Sequence, residues 1–283
     1  MNDLIQVLPD SIANQIAAGE VIQRPSSVIK ELVENAIDAG ARKIKIEVEE
    51  AGKAMIRVTD DGCGMSTQDA RMAFERHATS KIRQAEDLFS LHTMGFRGEA
   101  LASIASVCSV TLTTRRKEDE LATCLQIAGG VVERTSRCAA PVGSCFEVRN
   151  LFYNVPARRR FLKSDTTEWR HILTCYERIV AVYPEVAFSL YQNGAEASVL
   201  QAGSLSKRIA SIMPKGSEKG MLPLSFRSDI VNISGFVGSP EHAKQRAAKQ
   251  LFFVNGRFMR HPYFHHAVMQ AYETLIPTGY QPS

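Results

Sequence analysis

Residues 31–40 read Glu31-Leu32-Val33-Glu34-Asn35-Ala36-Ile37-Asp38-Ala39-Gly40, and the way these side chains sort around a helix decides how the chain is read. The segment lies in a predicted helix over about 28–39, with Ser26 and Ser27 as capping hydroxyls before it and Gly40 closing it. At about 100° per residue, Leu32, Val33, Ala36 and Ile37 fall in one broad arc suited to face a sheet. Glu31, Glu34, Asn35 and Asp38 fall together on the other side. The ordinary explanation is a solvated acidic face. The sharper one is a carboxylate and an amide one turn apart, facing a metal-bound phosphate. Asn35 would then offer a neutral oxygen to Mg²⁺, and Glu31 would act as general base towards water. The helix alone does not choose between them.

Upstream, Asp10 and Ser11 cap a predicted helix over 10–24 that ends near Arg24-Pro25. Downstream, Ile44, Ile46 and Val48 alternate as in a strand, and a second strand follows around Met55–Val58, with Gly52 marking a hairpin. Asp60-Asp61-Gly62-Cys63-Gly64 comes straight after that strand. Its glycines let backbone approach a ligand closely, and a carboxylate at a strand end accepts from an amino group. A tight turn with surface acids is the competing explanation. A helix is expected over 67–77, a long mobile polar segment over 78–99, and another helix from about Gly98 to Ser106. Gly95-Phe96-Arg97-Gly98-Glu99-Ala100-Leu101 opens that helix, where unpaired N–H groups favour phosphate. It lacks the Walker pattern Gly-x-x-x-x-Gly-Lys-Ser/Thr. Arg76-His77-Ala78-Thr79-Ser80-Lys81 supplies hydroxyls and cations that suit a triphosphate.

From 107 to 150 the pattern is β-like, with strands at 109–115, 121–128, 131–135 and 144–149. A helix over 166–182 and a hairpin of 186–192 with 196–201 around Asn193-Gly194 complete an α+β unit over 1–201. The remainder, 202–283, is read as a helix (204–212), a linker (214–223), strands (229–237, 250–255) and a helix (263–275). That is thin for an independent core, so a truncated second domain is expected.

The chain has 283 residues, which suggests about two domains at roughly 150 residues each. Hydrophobic residues make up 45% and charged residues 23%, a balance that excludes disorder and a small disulfide scaffold. No apolar run approaches the ~18–20 residues needed to span a bilayer, and no secretory signal opens the chain. The cysteines at 63, 108, 124, 138, 145 and 175 form no Cys-x-x-Cys pair, and a reducing, cytoplasmic setting is expected. Residues 1–201 carry 24 Lys and Arg against 26 Asp and Glu, whereas 202–283 carry 10 against 4, a weak hint of a polyanionic partner. Arg158-Arg159-Arg160 with Lys163 is a second basic cluster that either meets a phosphate backbone or flanks a helix. His261 and His265 lack a third metal ligand, and Trp169, Tyr263 and Phe264 are most simply core or interface residues.

The segments at 31–40, 60–65 and 95–101 occur in the order and spacing of the GHKL superfamily of gyrases, heat-shock chaperones, histidine kinases and MutL proteins. Asn14-Gln15-Ile16-Ala17-Ala18-Gly19-Glu20-Val21-Ile22, Arg76–Lys81 and Phe152-Tyr153-Asn154-Val155-Pro156-Ala157-Arg158-Arg159 narrow this. From about residue 4 to Phe253-Val254-Asn255-Gly256-Arg257 the chain resembles the N-terminal part of MutL-type DNA mismatch repair proteins.

That resemblance implies a GHKL-type ATP-binding α/β sandwich over 1–201, followed by an incomplete ribosomal-protein-S5-like domain over 202–283. It implies ATP and Mg²⁺ as ligands and slow hydrolysis to ADP and phosphate. Glu31 is similar to the family's general base, and Asn35 to its Mg²⁺ ligand. Asp60 is similar to the acceptor for the adenine amino group, and Gly64 to a glycine that lets the base lie close. Ser144 stands where a family hydroxyl, often Thr, supports the adenine contact. Asp61 stands where many relatives have Asn. Thr79, Ser80 and Lys81 resemble a lid, and Gly95, Phe96, Arg97, Gly98, Glu99, Ala100 and Leu101 a phosphate-wrapping loop. Arg257 and Arg260, with Arg158 and Arg159, are the DNA-binding candidates. The implied partners are DNA, a mismatch-recognition protein, a downstream nuclease or helicase, and a second N-terminal half in the ATP state, with association with the nucleoid during repair. A late family lysine that meets the γ-phosphate has no matching segment here, so ATP binding with slow hydrolysis, or none, is expected. Two other readings use some of the same residues. A histidine-kinase-type phosphotransferase needs a phosphoacceptor helix that is not seen before residue 10. A non-enzymatic DNA-binding scaffold would not need Glu31.

Overall fold

The computed structural model describes residues 9–79, 98–213, 220–245 and 249–282. The chain divides into two compact units, Met1–Ala202 and Gly203–Ser283.

In the first unit the elements run α1 (Asp10–Val21), α2 (Pro25–Asp38), β1 (Lys43–Glu49), β2 (Met55–Asp60), α3 (Thr67–Met72) and α4 (Ala100–Val107). Then come β3 (Ser109–Arg115), β4 (Ala122–Ala128), β5 (Val131–Cys138), β6 (Gly143–Arg149), α5 (Pro156–Phe161), α6 (Asp165–Val182), β7 (Ala187–Gln192) and β8 (Ala195–Leu200). The strands form one eight-stranded sheet in the order β5-β4-β3-β6-β2-β1-β7-β8. Every neighbouring pair is antiparallel except β1 with β7, where the chain crosses over through α5 and α6.

Alternation along these strands gives the sheet two unlike faces. On the face that packs against helices, Val48, Ile56, Val148, Val110 and Ile127 are register partners in one buried row across β1, β2, β6, β3 and β4. Ile46, Val58, Phe146, Leu112 and Leu125 form the next. The third row begins with Ile44 and then turns polar, through Asp60, Ser144, Thr114 and Thr123, all of them buried. The opposite face carries charge, where Arg57 bridges Glu47 and Glu147 and Lys45 pairs with Glu47.

Helix α2 sits between the sheet and α6. Val28, Ile29, Leu32, Val33 and Ala36 are buried as their spacing requires. The helix starts earlier than expected, because Pro25 occupies the first turn, where its preset φ suits a helix start, and Ser26 and Ser27 lie inside the helix rather than capping it. The acidic side differs from the solvated-face expectation: Glu34 is only 6% exposed. Its surroundings include Cys175 of α6, whose thiol burial pushes up to about 12. A helix covered by a second helix as well as a sheet has less solvated arc than one on a surface.

The second unit contains α7 (Leu205–Ile212), β9 (Met221–Arg227), β10 (Asn232–Gly238), β11 (Phe252–Val254), β12 (Arg257–Met259) and α8 (Pro262–Tyr272). β9 pairs with β10 and β11 with β12, each antiparallel. Two of these strands were not expected. Part of the predicted linker at 214–223 is strand β9, which carries Pro223 opposite Phe236; proline usually argues against a strand but is tolerated at an edge. β12 follows Asn255-Gly256, both at positive φ (48° and 77°), a turn signal that closes a hairpin. Helix α5 (Pro156–Phe161), which carries the basic cluster Arg158-Arg159-Arg160, is a further element that the sequence pattern does not predict. The middle of the expected mobile segment at 78–99 lies outside the described residues.

Candidate functional site

The polar end of the third row is built around Asp60, the last residue of β2. The residue is 7% exposed. Oδ1 accepts from the Gly62 N–H at 2.9 Å, and the carboxylate also accepts from the Ser144 N–H. Burial is the largest influence and raises the Asp60 pKa; the two backbone donors oppose it and the Asp61 charge adds to it. Beside it, the Ser144 hydroxyl lies 3.0 Å from the Thr114 hydroxyl. Thr114 accepts from the Met65 N–H at 2.9 Å. Further along, Thr123 meets Thr67 of α3 at 2.7 Å.

Two glycines allow this packing. A Cβ at Gly143 (φ 118°) would stand 2.0 Å from the Asp60 carbonyl oxygen, and one at Gly64 (φ 69°) 2.1 Å from that of Arg115. Gly64 is therefore required by neighbouring backbone. Asp61 accepts from the Arg42 and Lys43 N–H groups at 2.7 and 2.8 Å, a fastening of the loop to the start of β1.

The same loop is hooked to α2. The Cys63 N–H donates to the Ala39 carbonyl at 3.0 Å, and Gly62 packs against Ala39. Asn35 is one helical turn before that anchor and Glu31 one turn further back, both half-buried. Lys30 Nζ donates to Glu31 Oε1 and to Glu34 Oε2, each at 2.9 Å. Burial works against the Lys30 charge, but the two carboxylates outweigh it and raise its pKa. Burial likewise dominates at Glu34 and raises its pKa, with Lys30 opposing.

Of the expected phosphate-contacting residues, Thr79, Gly98, Glu99, Ala100 and Leu101 are described, and Ser80, Lys81, Gly95, Phe96 and Arg97 lie outside the described residues. Ala100 and Leu101 open α4, with Glu99 at its N-cap. A Cβ on Gly98 would stand 2.4 Å from the Ala78 carbonyl oxygen, and Glu99 Oε1 lies 3.6 Å from His77 Nδ1. The described segments that end at Thr79 and begin at Gly98 thus lie beside each other.

Among the basic candidates, Arg158 donates to the Ile16 carbonyl of α1 at 3.4 Å and lies across Gly19, whereas Arg159 is exposed. Arg257 and Arg260, in the second unit, are exposed. His265 meets Gln250 at 2.8 Å, and no cluster of three His, Cys, Asp or Glu suited to a metal occurs among the described residues.

Two family models match: a histidine kinase-, DNA gyrase B- and HSP90-like ATPase over residues 23–142, and a DNA mismatch repair protein C-terminal domain over 209–283. The DNA mismatch repair protein MutL of Porphyromonas gingivalis is 62% identical over 283 residues, all of this chain and 46% of its own length. That of Flavobacterium psychrophilum is 52% identical over the same span, again 46% of the relative. The chain belongs to the MutL family of DNA mismatch repair proteins. It spans about half the length of the curated relatives it matches. An Aquifex aeolicus MutL ATPase domain complexed with ADP is similar in structure, with TM-score 0.67 and 29% identity over 89% of this chain and 88% of that one. A solved N-terminal domain of a DNA repair protein, at 22% identity, shares the fold with TM-score 0.79, covering 96% of this chain and 84% of its own.

The first unit thus has the GHKL ATPase fold of the MutL family, and the match over 23–142 takes in Glu31, Asn35, Asp60 and Gly64. It also takes in Thr114, which lies in none of the motifs that carry the resemblance. Period-2 alternation in β3 places Thr114 on the face of Val110 and Leu112, so the strand pattern marks it as an inward-facing hydroxyl. Only the pairing register shows that it stands beside Ser144.

Proposed function

We propose that this chain binds ATP with its adenine against Asp60 and Ser144, and that it hydrolyses the nucleotide as part of a mismatch repair switch. One observation carries the reading. A buried carboxylate held by two backbone N–H groups, with a hydroxyl beside it, is hooked by its own loop to the helix that bears Glu31 and Asn35. An ionised carboxylate only accepts, so Asp60 suits an exocyclic amino group and disfavours the carbonyl that guanine presents at that position.

The donor set fits magnesium: a neutral amide oxygen from one helical face, leaving room for waters and phosphate oxygens. Asn35 would hold the ion, which when bound neutralises charge on the phosphates. Glu31, held at 2.9 Å from the Lys30 ammonium, takes a proton from the attacking water as the new phosphorus–oxygen bond forms and the bond to ADP breaks. Thr79, Ser80 and Lys81 act as a lid, and Gly95 to Leu101 wrap the phosphates at the start of α4.

In this reading 1–201 is the ATPase domain and 202–283 transmits its state. Closure of the lid promotes self-association of two N-terminal halves in the cytoplasm. Arg257 and Arg260 then meet DNA phosphates, with Arg159 contributing more than Arg158, whose guanidinium is engaged on α1. The closed state signals to a mismatch-recognition protein and to a nuclease or helicase.

The test is a titration of the chain with ATP, GTP and a non-hydrolysable ATP analogue, read as affinity and as self-association by light scattering. ATP and its analogue are expected to bind at least about tenfold more tightly than GTP, since a site built to pair a polar group rejects its mismatch strongly. Equal affinities, or no binding, would overturn the reading.

A further inference from the structure

We infer that Thr114 is a positioning residue for base recognition: its hydroxyl turns that of Ser144 so that the Ser144 proton points to an acceptor nitrogen of the bound base. The inference rests on the adenine reading of the Asp60 pocket.

Proton bookkeeping leads to it. Thr114 is 1% exposed, so water cannot complete its hydrogen bonds, and its oxygen carries one proton. A lone pair is used by the Met65 N–H at 2.9 Å. The proton has two takers, the Gly143 carbonyl at 3.2 Å and the Ser144 hydroxyl at 3.0 Å. If it goes to Gly143, Ser144 must spend its own proton on Thr114 and has only lone pairs left to offer. If it goes to Ser144, the Ser144 proton is released.

Asp60 decides between these states once a base is present. Its ionised carboxylate already takes the amino group, so the ring nitrogen beside that amino group needs a donor, met directly or through one water. The backbone of Ser144 is already committed to Asp60, which leaves its hydroxyl as the donor in the row. Thr123 does not compete for the Thr114 proton, since it is paired with Thr67 at 2.7 Å. Adenine therefore draws the Thr114 proton onto Ser144. Guanine, with a carbonyl facing Asp60 and a ring N–H beside it, mismatches both groups. Because Thr114 also anchors Met65, its loss would loosen the glycine loop as well, and a test must separate the two effects.

The separating readout is a ratio. ADP and 1-deaza-ADP, in which the ring nitrogen beside the amino group is replaced by C–H, are titrated against the chain by calorimetry. The parent should favour ADP by about tenfold, the worth of one hydrogen bond in a shielded site. Thr114→Val should bring that ratio to within about twofold of unity, and Thr114→Ser should restore it, because a loosened loop weakens both ligands alike. Ser144→Ala should also collapse the ratio, and adding Thr114→Val should change it no further. If Thr114→Val does not fold, Thr114→Cys carries the test, with a ratio of about threefold expected from the weaker thiol donor. Thr114→Val, or Thr114→Cys in its place, at the parent ratio, or a parent that binds both ligands equally, overturns the inference while leaving the adenine pocket standing. A parent that binds no ADP overturns the pocket itself.

Discussion

Asp60 and Glu34 are both buried carboxylates of the first unit, and they are held by opposite means. Asp60, at the end of a strand, is gripped by the N–H groups of Gly62 and Ser144. Glu34, in the middle of α2, is held by the ammonium of Lys30, which it shares with Glu31. Backbone donors keep a carboxylate in place without cancelling its charge, so it stays an acceptor for a ligand. A cation cancels the charge and leaves a structural tie whose strength follows pH and salt. In the proposed reading the strand end carries a recognition acid and the helix a fastening acid, Glu34, whose cation also reaches Glu31.

Glu31→Ala tests that division most severely. Hydrolysis should fall by about 100-fold or more, the usual worth of a general base, with ADP affinity within about twofold of the parent. Hydrolysis at the parent rate in a steady-state phosphate-release assay would remove the base from this helix. Asp60→Asn should do the converse, weakening ADP by about tenfold or more in a binding titration, because the amide turns donors where a charged acceptor stood. Unchanged affinity would reduce Asp60 to a turn residue.

Gly64→Ala sets the geometric requirement against both. With a positive φ and a carbonyl oxygen 2.1 Å from the added carbon, it should destabilise the fold by about 2 kcal/mol in urea unfolding, which combines backbone strain with a forced shift. A smaller effect follows from pH. The raised Asp60 pKa means that ADP affinity should fall on acidification while still above the ordinary aspartate range, and that Asp60→Asn should not show this loss.

Lys30→Met should give the smallest change, and it tests the fastening acid. Glu34 has a raised pKa, so the stability linked to its proton is full below its unfolded pKa and lost as pH rises through the folded one. Removing the cation that opposes burial moves that folded pKa higher still. The variant should therefore melt below the parent at neutral pH, with the gap narrowing as pH falls. A gap that does not change with pH would mean that Lys30 contributes packing alone.

Much of this was legible beforehand, for reasons particular to each element. Period-2 alternation marked β3 and β6 nearly to the residue, because one face of those strands is buried and the other is not. Glu31, Asn35 and Asp60 take their expected roles from the resemblance to the GHKL superfamily, because the helix and the turn by themselves leave a solvated acidic face and a surface turn equally open. Glu34 was misread because a helical wheel cannot show that α6 covers the side opposite the sheet. The hairpins of the second unit were half-missed, since a three-residue strand such as β12 carries almost no periodicity.

By itself the sequence determined the alternation of the strands, the amphipathic core of α2 and the identity of the acids, since these depend on side-chain type and spacing along one element. Only the tertiary structure decided that Asp60, Ser144, Thr114 and Thr123 share one buried row, and that the loop after Asp60 is tied to the end of α2. The physical reason is that strand register and helix coverage are properties of pairs of elements. A hydroxyl or carboxylate takes its meaning from the partner set opposite it, and no single segment of chain records that partner.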